Sequence, residues 1–320
     1  MLSRVANSIY WMNRYMERAE NYARFISVNF NLTLDLPPEV PEQWEPLITT
    51  MADDELFKKL YDEPNRENVV NFLLFDSRNQ NSILNNLYFA RENARSIRES
   101  ISKEMWEHIN QFYWKVKDAS SDKDHDPNTL QTFFNEVKMS SQLFFGIVDS
   151  TITRGEGWHF GRLGRFLERA DKTSRCVDVK YFLALPSVEA VGSPLDILQW
   201  SSVLKSASAY NMFRQQYNAI TPTNIVEFLM LDRKFPRAVM YCIRQAELSL
   251  CEISGSPVGM LSNPAERKIG KLRSELEFID INEVFSFGLH EYIDSFQLKN
   301  NEVAEEVYKT FFALKPVDAQ

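Results

Sequence analysis

The sequence predicts an all-α protein, a helical bundle built from two tandem pseudo-repeats. Three observations indicate this fold. Apolar residues recur at three- and four-residue spacing over long stretches. Glycine is scarce, with 10 in 320 residues. A charged segment, "RYMERAENYAR" at 14–24, recurs as "RFLERADKTSR" at 165–175. We predict a single helical domain over 1–320, with internal halves at about 1–120 and 129–314.

The first half is predicted to begin with a long helix from about Ser3 to Asn31, which has a wide apolar face. The Pro-rich acidic stretch "LDLPPEVPEQWEP" follows this helix, and its prolines forbid a continuous helix there. Further helices are predicted at about 53–60, 66–75, 81–101 and 102–117. The polar run "DASSDKDHDPN" at 118–128 is the best mid-chain linker.

The second half is predicted to open with a helix near 129–152. The next helix extends through "RGEGWHFGRLGRFLERADKTSRCVDVKYFLAL" to Pro186. After the loop "PSVEAVGSP", Ser193 and Pro194 can begin a helix that carries "LDILQWSSVLKSASAYNMFRQQY". Further helices are predicted at about 222–231, 236–252, 264–280 and 282–314.

The repeat extends beyond the charged segment. "FLLFDSRNQNSIL" at 72–84 matches "FLMLDRKFPRAVM" at 228–240 and pairs Asp76 with Asp232. The offsets are 151 residues (14 to 165) and 156 residues (72 to 228). Two matches in the same order at nearly constant offset indicate a tandem duplication.

Each copy of the charged segment places a row of charged and polar residues on one helix face, opposite the apolar face. The rows are Arg14, Glu17, Arg18 and Asn21, with Arg24 at the edge, and Arg165, Glu168, Arg169, Lys172 and Arg175. Three interpretations stay open. The rows are solvated faces with weak pairs at three- and four-residue spacing, or a partly buried Arg–Glu lattice, or an anion or substrate site.

Two further arginine clusters are candidate ligand-binding residues. "ARENARSIRE" places Arg91, Arg95 and Arg98 on one helix face, and arginine suits planar recognition of phosphate or carboxylate. An ion network with nearby glutamates explains that cluster equally well. Arg154 and Arg162 lie around the glycines of "TRGEGWHFGRLGR", which is neither a P-loop nor a dinucleotide fingerprint. The full candidate set is Arg14, Arg18, Arg91, Arg95, Arg98, Arg154, Arg162, Arg165 and Arg169.

Composition and motif content exclude several function classes. The net charge of −8 disfavours nucleic acid and anionic membranes as partners. No run approaches the ~20 apolar residues of a membrane span, and charges come too early for a signal peptide, so we expect a cytoplasmic protein. Three cysteines lack metal-type spacing, and no HExxH, Glu-x-x-His or nucleophile-elbow motif occurs. We therefore predict no metal, no cofactor and no known catalytic motif.

Motifs along essentially the whole chain carry a family resemblance. They include "MLSRVANSIYWMNRYMERAENYAR", "ARENARSIRESISKEMWEHIN", "TRGEGWHFGRLGRFLERADKTSR" and "GSPLDILQWSSVLKSASA". In these motifs the sequence is similar to the alpha-E family, bacterial all-helical proteins named for their Glu-Arg motif. The resemblance implies association with circularly permuted ATP-grasp proteins, with transglutaminase-like peptidases and sometimes with proteasome-like subunits. It thus implies a role in making or modifying a small peptide or amide.

Our leading hypothesis is an accessory helical partner of a circularly permuted ATP-grasp amide ligase, which holds an anionic substrate in an Arg/Glu-lined cleft. One alternative is an acyl- or peptide-transfer enzyme, with Glu17 or Glu168 as base and arginines stabilising negative charge. Another alternative is a structural scaffold. The substrate and the oligomeric state stay open, a homo-oligomer included.

Overall fold

The computed structural model describes residues 1–35, 41–121, 127–183, 185 and 191–313, and these contain helices and turns but no strand. The first seven helices are α1 Ser3–Asp35, α2 Glu45–Met51, α3 Asp54–Leu60, α4 Arg66–Leu74, α5 Ile83–Ser96, α6 Lys103–Ala119 and α7 Pro127–Thr151. The next eight are α8 Glu156–Phe182, α9 Pro194–Ser206, α10 Tyr210–Gln216, α11 Pro222–Leu231, α12 Val239–Ser254, α13 Pro264–Phe278, α14 Ile281–Phe287 and α15 Leu289–Val307. The all-α prediction is confirmed. Within the described ranges, no helix combines the length and the apolar character needed to cross a membrane.

Side-chain caps determine where several helices begin. Ser82, Ser102, Thr221 and Asn263 each accept a hydrogen bond from the backbone N–H three residues further on. Ser193 does the same ahead of α9, as the Ser-Pro pair predicts. Each cap satisfies one of the N–H groups that the first helical turn leaves without a partner.

Two predicted helices break at residues with positive φ. Ser208, at φ 51°, separates α9 from α10. Gly288, at φ 104°, separates α14 from α15. A left-handed residue cannot continue a right-handed helix, and the periodicity of the flanking residues does not reveal it.

Helix α5 is shorter than the predicted 81–101 segment. It ends at Ser96, and a 3₁₀ turn, Arg98–Ser100, precedes the Ser102 cap of α6. The predicted row of three arginines on one helix face is therefore wrong, because Arg98 lies beyond the end of α5.

Helix α2 was not predicted. It begins at Glu45 inside the Pro-rich stretch, since proline is accepted in the first turn of a helix. Helix α1 extends to Asp35, four residues past its predicted end. Parts of the predicted Pro-rich stretch, linker, loop and final helix lie outside the described residues, namely 36–40, 122–126, 186–190 and 314–320.

Helices α1 and α8 pack against each other and contact many of the remaining helices. On α1 lie α5 and α7, and on α8 lie α12 and α15. Helix α6 contacts both α5 and α7, as α13 contacts both α12 and α15. Helix α2 of the first half contacts α8, and α9 of the second half contacts α1. The second half thus repeats the helix contacts of the first, while the tandem duplication of the sequence stays a prediction.

A small aromatic cluster occurs in each half. A Tyr ring stacks on the Phe four residues earlier, and a second Phe packs edge-on against both rings. The clusters are Phe57, Tyr61 and Phe72 in the first half, and Phe213, Tyr217 and Phe228 in the second. Corresponding members are 156 residues apart, the same offset as between the matched segments at 72–84 and 228–240.

Two glycines of α8 allow its close approach to α1. A Cβ at Gly164 would lie 2.5 Å from the backbone oxygen of Tyr10, and one at Gly161 would lie 2.8 Å from Nδ2 of Asn13. Both distances are shorter than the contacts that a real Cβ atom makes with other heavy atoms. The close approach brings the charged rows of the two helices together.

Candidate functional site

The two charged rows face each other across the α1–α8 contact and are buried. Glu17 and Glu168 have no solvent exposure, and Arg14 and Arg169 are exposed by 9% and 5%. Neither row is therefore a solvated helix face.

Glu17 on α1 is bound by arginines of the second half. Arg169 donates from Nε to Oε1 at 2.8 Å and from Nη2 to Oε2 at 2.6 Å. Arg237, just before α12, donates from Nη1 to Oε1 at 3.1 Å. Nε of Arg165 lies 3.6 Å from Oε2. Asn21 donates a further hydrogen bond to Oε1, so both carboxylate oxygens are occupied.

Glu168 on α8 is bound in the opposite direction by arginines of α1. Arg18 donates from Nε to Oε1 at 2.6 Å and from Nη2 to Oε2 at 3.1 Å. Arg14 donates from Nε to Oε2 at 2.8 Å. Each copy of the row therefore supplies a carboxylate to the other copy and takes one in return.

A second carboxylate on α1 extends the network toward α12. Glu20 Oε1 accepts hydrogen bonds from Nη2 of Arg24 at 2.5 Å and from Nη2 of Arg237 at 2.6 Å. Arg24 also donates to the hydroxyl of Ser208. Arg237 therefore joins Glu17 to Glu20.

The matching carboxylate on α8 is Asp171, one of whose oxygens accepts hydrogen bonds from two cations. Oδ2 lies 2.8 Å from Nζ of Lys172 and 3.0 Å from Nε of Arg175. Arg175 donates in addition to the backbone oxygen of Thr50 at 2.9 Å, which ties α2 to α8.

A relay of side chains connects Arg18 to one more acid. Arg18 donates from Nη1 to Oδ1 of Asn81 at 3.0 Å, and Asn81 donates from Nδ2 to Oδ1 of Asp53 at 3.0 Å. The hydroxyl of Tyr22 donates to the other oxygen of Asp53 at 3.4 Å.

We call these charged residues the central ion network. Its cations are Arg14, Arg18, Arg24, Arg165, Arg169, Lys172, Arg175 and Arg237, and its carboxylates are Glu17, Glu20, Asp53, Glu168 and Asp171. Within this network of described residues, eight cations face five carboxylates, a surplus of three positive charges. Buried charge without compensation is costly, so the surplus favours a bound anion.

The arginines control the acidity of the central carboxylates. Burial by itself raises the pKa of Glu17, but Arg169 and Arg237 outweigh it and hold the pKa far below the ordinary value. Burial acts on Glu168 in the same way, and Arg18 and Arg14 hold its pKa well below the ordinary value. Both carboxylates are therefore ionised at neutral pH and are weak bases.

Arg165 is the network cation whose positive charge is least compensated by neighbouring carboxylates. Burial, with the neighbouring Arg169 adding to it, lowers the pKa of Arg165 to about 10. Its Nε has no hydrogen-bond partner among the described residues. The guanidinium lies 3.6 Å from the ring centroid of Phe145, and 22% of the side chain is exposed. Arg165 thus combines a buried Nε that makes no hydrogen bond with a side chain that is partly exposed.

A family model matches residues 1–312, and it is described as a predicted alpha-helical domain with a conserved ER motif. The chain belongs to the Alpha-E family. Glu-Arg pairs stand at 17–18 and 168–169 in this Alpha-E chain, at the centre of the ion network. No curated protein and no solved structure matches the chain.

Four of the nine predicted ligand-binding arginines of this Alpha-E protein meet in the network, namely Arg14, Arg18, Arg165 and Arg169. The other five lie elsewhere. Arg91 donates to Asn110 at 2.7 Å and lies 5.3 Å from the ring centroid of Tyr113. Arg98 lies 4.9 Å from the ring of Trp106 on α6, and Arg95 pairs with Glu92 at the surface.

The remaining two predicted arginines flank Trp158, at the start of α8. Arg154 and Arg162 lie 5.3 and 4.6 Å from its ring centroid. Arg162 also donates to Gln245 on α12. These contacts, like those of Arg91, Arg95 and Arg98, do not involve the central ion network.

Arg237, like Asp53, is a network residue that the sequence-based reasoning missed. It stands 156 residues after Asn81, in the matched segments at 72–84 and 228–240. A cation in one copy thus replaces a neutral amide in the other. This difference between Asn81 and Arg237 can be read from the two matched segments. Only the structure shows that Arg237 forms ion pairs with both Glu17 and Glu20.

Proposed function

We propose that this Alpha-E protein is an accessory helical protein that acts with a circularly permuted ATP-grasp amide ligase. In this proposal it works in the cytoplasm, where ATP is available, and binds an anionic substrate or intermediate at the central ion network. The observation that supports it most is the network's surplus of three positive charges, eight cations against five carboxylates.

The chemistry of the proposed partner suits this surplus. An ATP-grasp ligase activates a carboxylate as an acyl-phosphate, so its substrate and its intermediate are both anions. Arginine presents a planar fork of donors that matches carboxylate and phosphate oxygens. We propose that Arg165 contacts the anion, because 22% of its side chain is exposed and its Nε, 3.6 Å from Oε2 of Glu17, makes no hydrogen bond among the described residues. In this proposal, transglutaminase-like peptidases are further partners, and they process the product.

A catalytic role for Glu17 or Glu168 has less support. Arginines hold the pKa of each carboxylate far below neutral and occupy both of its oxygens. A general base works best with a pKa near the working pH. The acyl-transfer alternative would therefore need a different base.

The reciprocal pairing of the two rows favours the scaffold alternative in one respect. Glu17 with Arg169 and Glu168 with Arg18 join α1 to α8 without any ligand. A scaffold needs those pairs but gains nothing from the cation surplus. The anion-binding accessory protein and the scaffold therefore differ in whether Arg165 has a role other than stabilising the fold.

The partnership is tested by co-purification with the circularly permuted ATP-grasp protein encoded nearest to this chain. ATP consumption by that ligase is then measured with and without this protein. We expect a stable complex or stimulated ATP consumption. Failure of both, with both proteins folded, overturns the partnership.

The anion site is tested separately, with inorganic phosphate and acetyl phosphate as probes. We expect either probe to raise the melting temperature of the wild type above that in chloride of equal ionic strength. Arg165→Gln should lose most of this rise. Arg95→Gln is the matched control, because Arg95 is exposed and outside the network. Equal rises in all three proteins would contradict binding at Arg165 and would favour the scaffold.

A further inference from the structure

A cavity of about 330 Å³ lies between α2, α8 and α15. Asp178 of α8 and His290 and Asp294 of α15 lie in its wall. Arg175, the only member of the central ion network in that wall, is engaged by Asp171 and by the backbone of Thr50. The cavity is thus distinct from the contacts around Glu17 and Glu168.

His290 is held in a fixed orientation. Nδ1 lies 2.8 Å from Oδ1 of the buried Asp178. The imidazole stacks on Tyr181 with ring centroids 4.2 Å apart and planes at 7°, and Phe182 packs edge-on at 5.5 Å. A carboxylate at Nδ1 places the proton on that nitrogen and leaves the lone pair of the neutral ring on Nε2.

The free nitrogen of His290 faces a second carboxylate. Nε2 lies 3.6 Å from Oδ2 of Asp294, one helical turn further along α15. That separation is too long for a hydrogen bond, and the described residues offer neither atom another hydrogen-bond partner. Two ligands at the usual ~2.0–2.1 Å from a tetrahedral Zn²⁺ ion are roughly 3.4 Å apart. The gap between His290 and Asp294 therefore has the width that one metal ion requires.

We propose that His290 Nε2 and Asp294 Oδ2 bind a divalent transition metal of the Zn²⁺ type in the wall of this cavity. Asp178 orients His290 through its Nδ1–H, as a carboxylate behind a metal-bound histidine does. One potential metal-binding atom from each of Asp178, His290 and Asp294 lies within 4.8 Å of the other two. The remaining coordination positions face the cavity and take water or an anionic oxygen ligand. This proposal is independent of the proposed function.

The test measures Zn²⁺ binding to the full chain by isothermal titration calorimetry. We expect one site in the wild type and a loss of affinity of roughly 10- to 100-fold in Asp178→Asn, the change typical for an orienting partner. His290→Ala and Asp294→Asn should each lose more than Asp178→Asn does. Circular dichroism melts establish that each variant is folded.

The matched control is His108→Ala, because His108 contacts the backbone of Ser140 and is not among the residues that line the cavity. It should bind Zn²⁺ like the wild type. Binding that is unchanged in Asp294→Asn, or equal in wild type and His290→Ala, overturns the site. Where a variant fails to fold, Co²⁺ added to the wild type decides. Visible bands of bound Co²⁺ with mixed nitrogen and oxygen ligands are expected, and the spectrum of hydrated Co²⁺ alone refutes the proposal.

Discussion

Glu17 on α1 and Arg169 on α8 form a two-point ion pair, with nitrogen–oxygen distances of 2.8 and 2.6 Å. Glu168 and Arg18 form the same pair in the opposite direction, at 2.6 and 3.1 Å. The glutamate of each copy contacts the arginine of the other copy. Such paired, reciprocal contacts are typical of two units related by a local two-fold axis. The repeated row therefore needs its second copy, because each helix supplies the acid that neutralises the other.

Removing one central carboxylate is expected to destabilise the protein strongly. Glu168→Gln leaves Arg14 and Arg18 buried without their shared anion, and a broken buried pair costs about 3–5 kcal/mol. The free energy of unfolding from urea denaturation measures the loss. Glu302→Gln is the control, since the Lys268–Glu302 pair is on the surface and should contribute nothing measurable. Similar losses in the two variants would contradict the assigned burial of the network.

Arg165 and Arg169 are expected to differ although they occupy the same helix face. Arg169→Met removes both hydrogen bonds of a two-point pair with Glu17. Arg165→Met removes a cation whose Nε makes no hydrogen bond among the described residues, while the methionine keeps an apolar contact with Phe145. We expect Arg169→Met to lower the urea midpoint more than Arg165→Met does. The reverse order would show that Arg165 is satisfied in solution.

The approach of α1 to α8 predicts opposite outcomes for two glycine substitutions. Gly164→Ala places a Cβ 2.5 Å from the backbone oxygen of Tyr10, so the helices must separate, at a cost of about 1–3 kcal/mol or more. Gly146→Ala, in the exposed face of α7, meets nothing within 4 Å and should stabilise by about 0.5–1 kcal/mol. Thermal melts compare the two. A Gly164→Ala variant as stable as wild type would disprove the close approach.

Acid is expected to destabilise the protein through the central carboxylates. The folded-state pKa of Glu168 is well below its ordinary value of 4.5, because Arg18 and Arg14 outweigh the effect of burial. A depressed pKa contributes stability that is fully present above the unfolded pKa and is lost as pH falls below it. Unfolding free energies should thus decrease as pH falls below about 5. Glu168→Gln should show a shallower decrease over that range, and equal slopes would argue against the assignment.

The helix positions that the sequence predicted well are those set by local chemistry. The start of α11 at Pro222 and that of α13 at Pro264 were predicted to the residue, because a capping side chain and a proline mark them. The breaks at Ser208 and Gly288 were missed, since periodic apolar residues continue on both sides. Among the candidate site residues, the two rows met, but the arginines of α5 lie apart from them.

Local sequence patterns predict the all-helical class, the approximate extent of α1, α7 and α8, and the presence of two similar charged rows. Periodicity, caps and charge are properties of neighbouring residues, so they are readable along the chain. The packing of distant helices, which the sequence pattern does not reveal, buries the rows and brings Arg169 and Arg237, 152 and 220 residues away, to Glu17. The identity of a charged residue does not reveal whether that residue is buried. Its burial and its partner depend on how closely distant helices approach, which here is set by Gly161 and Gly164 against α1.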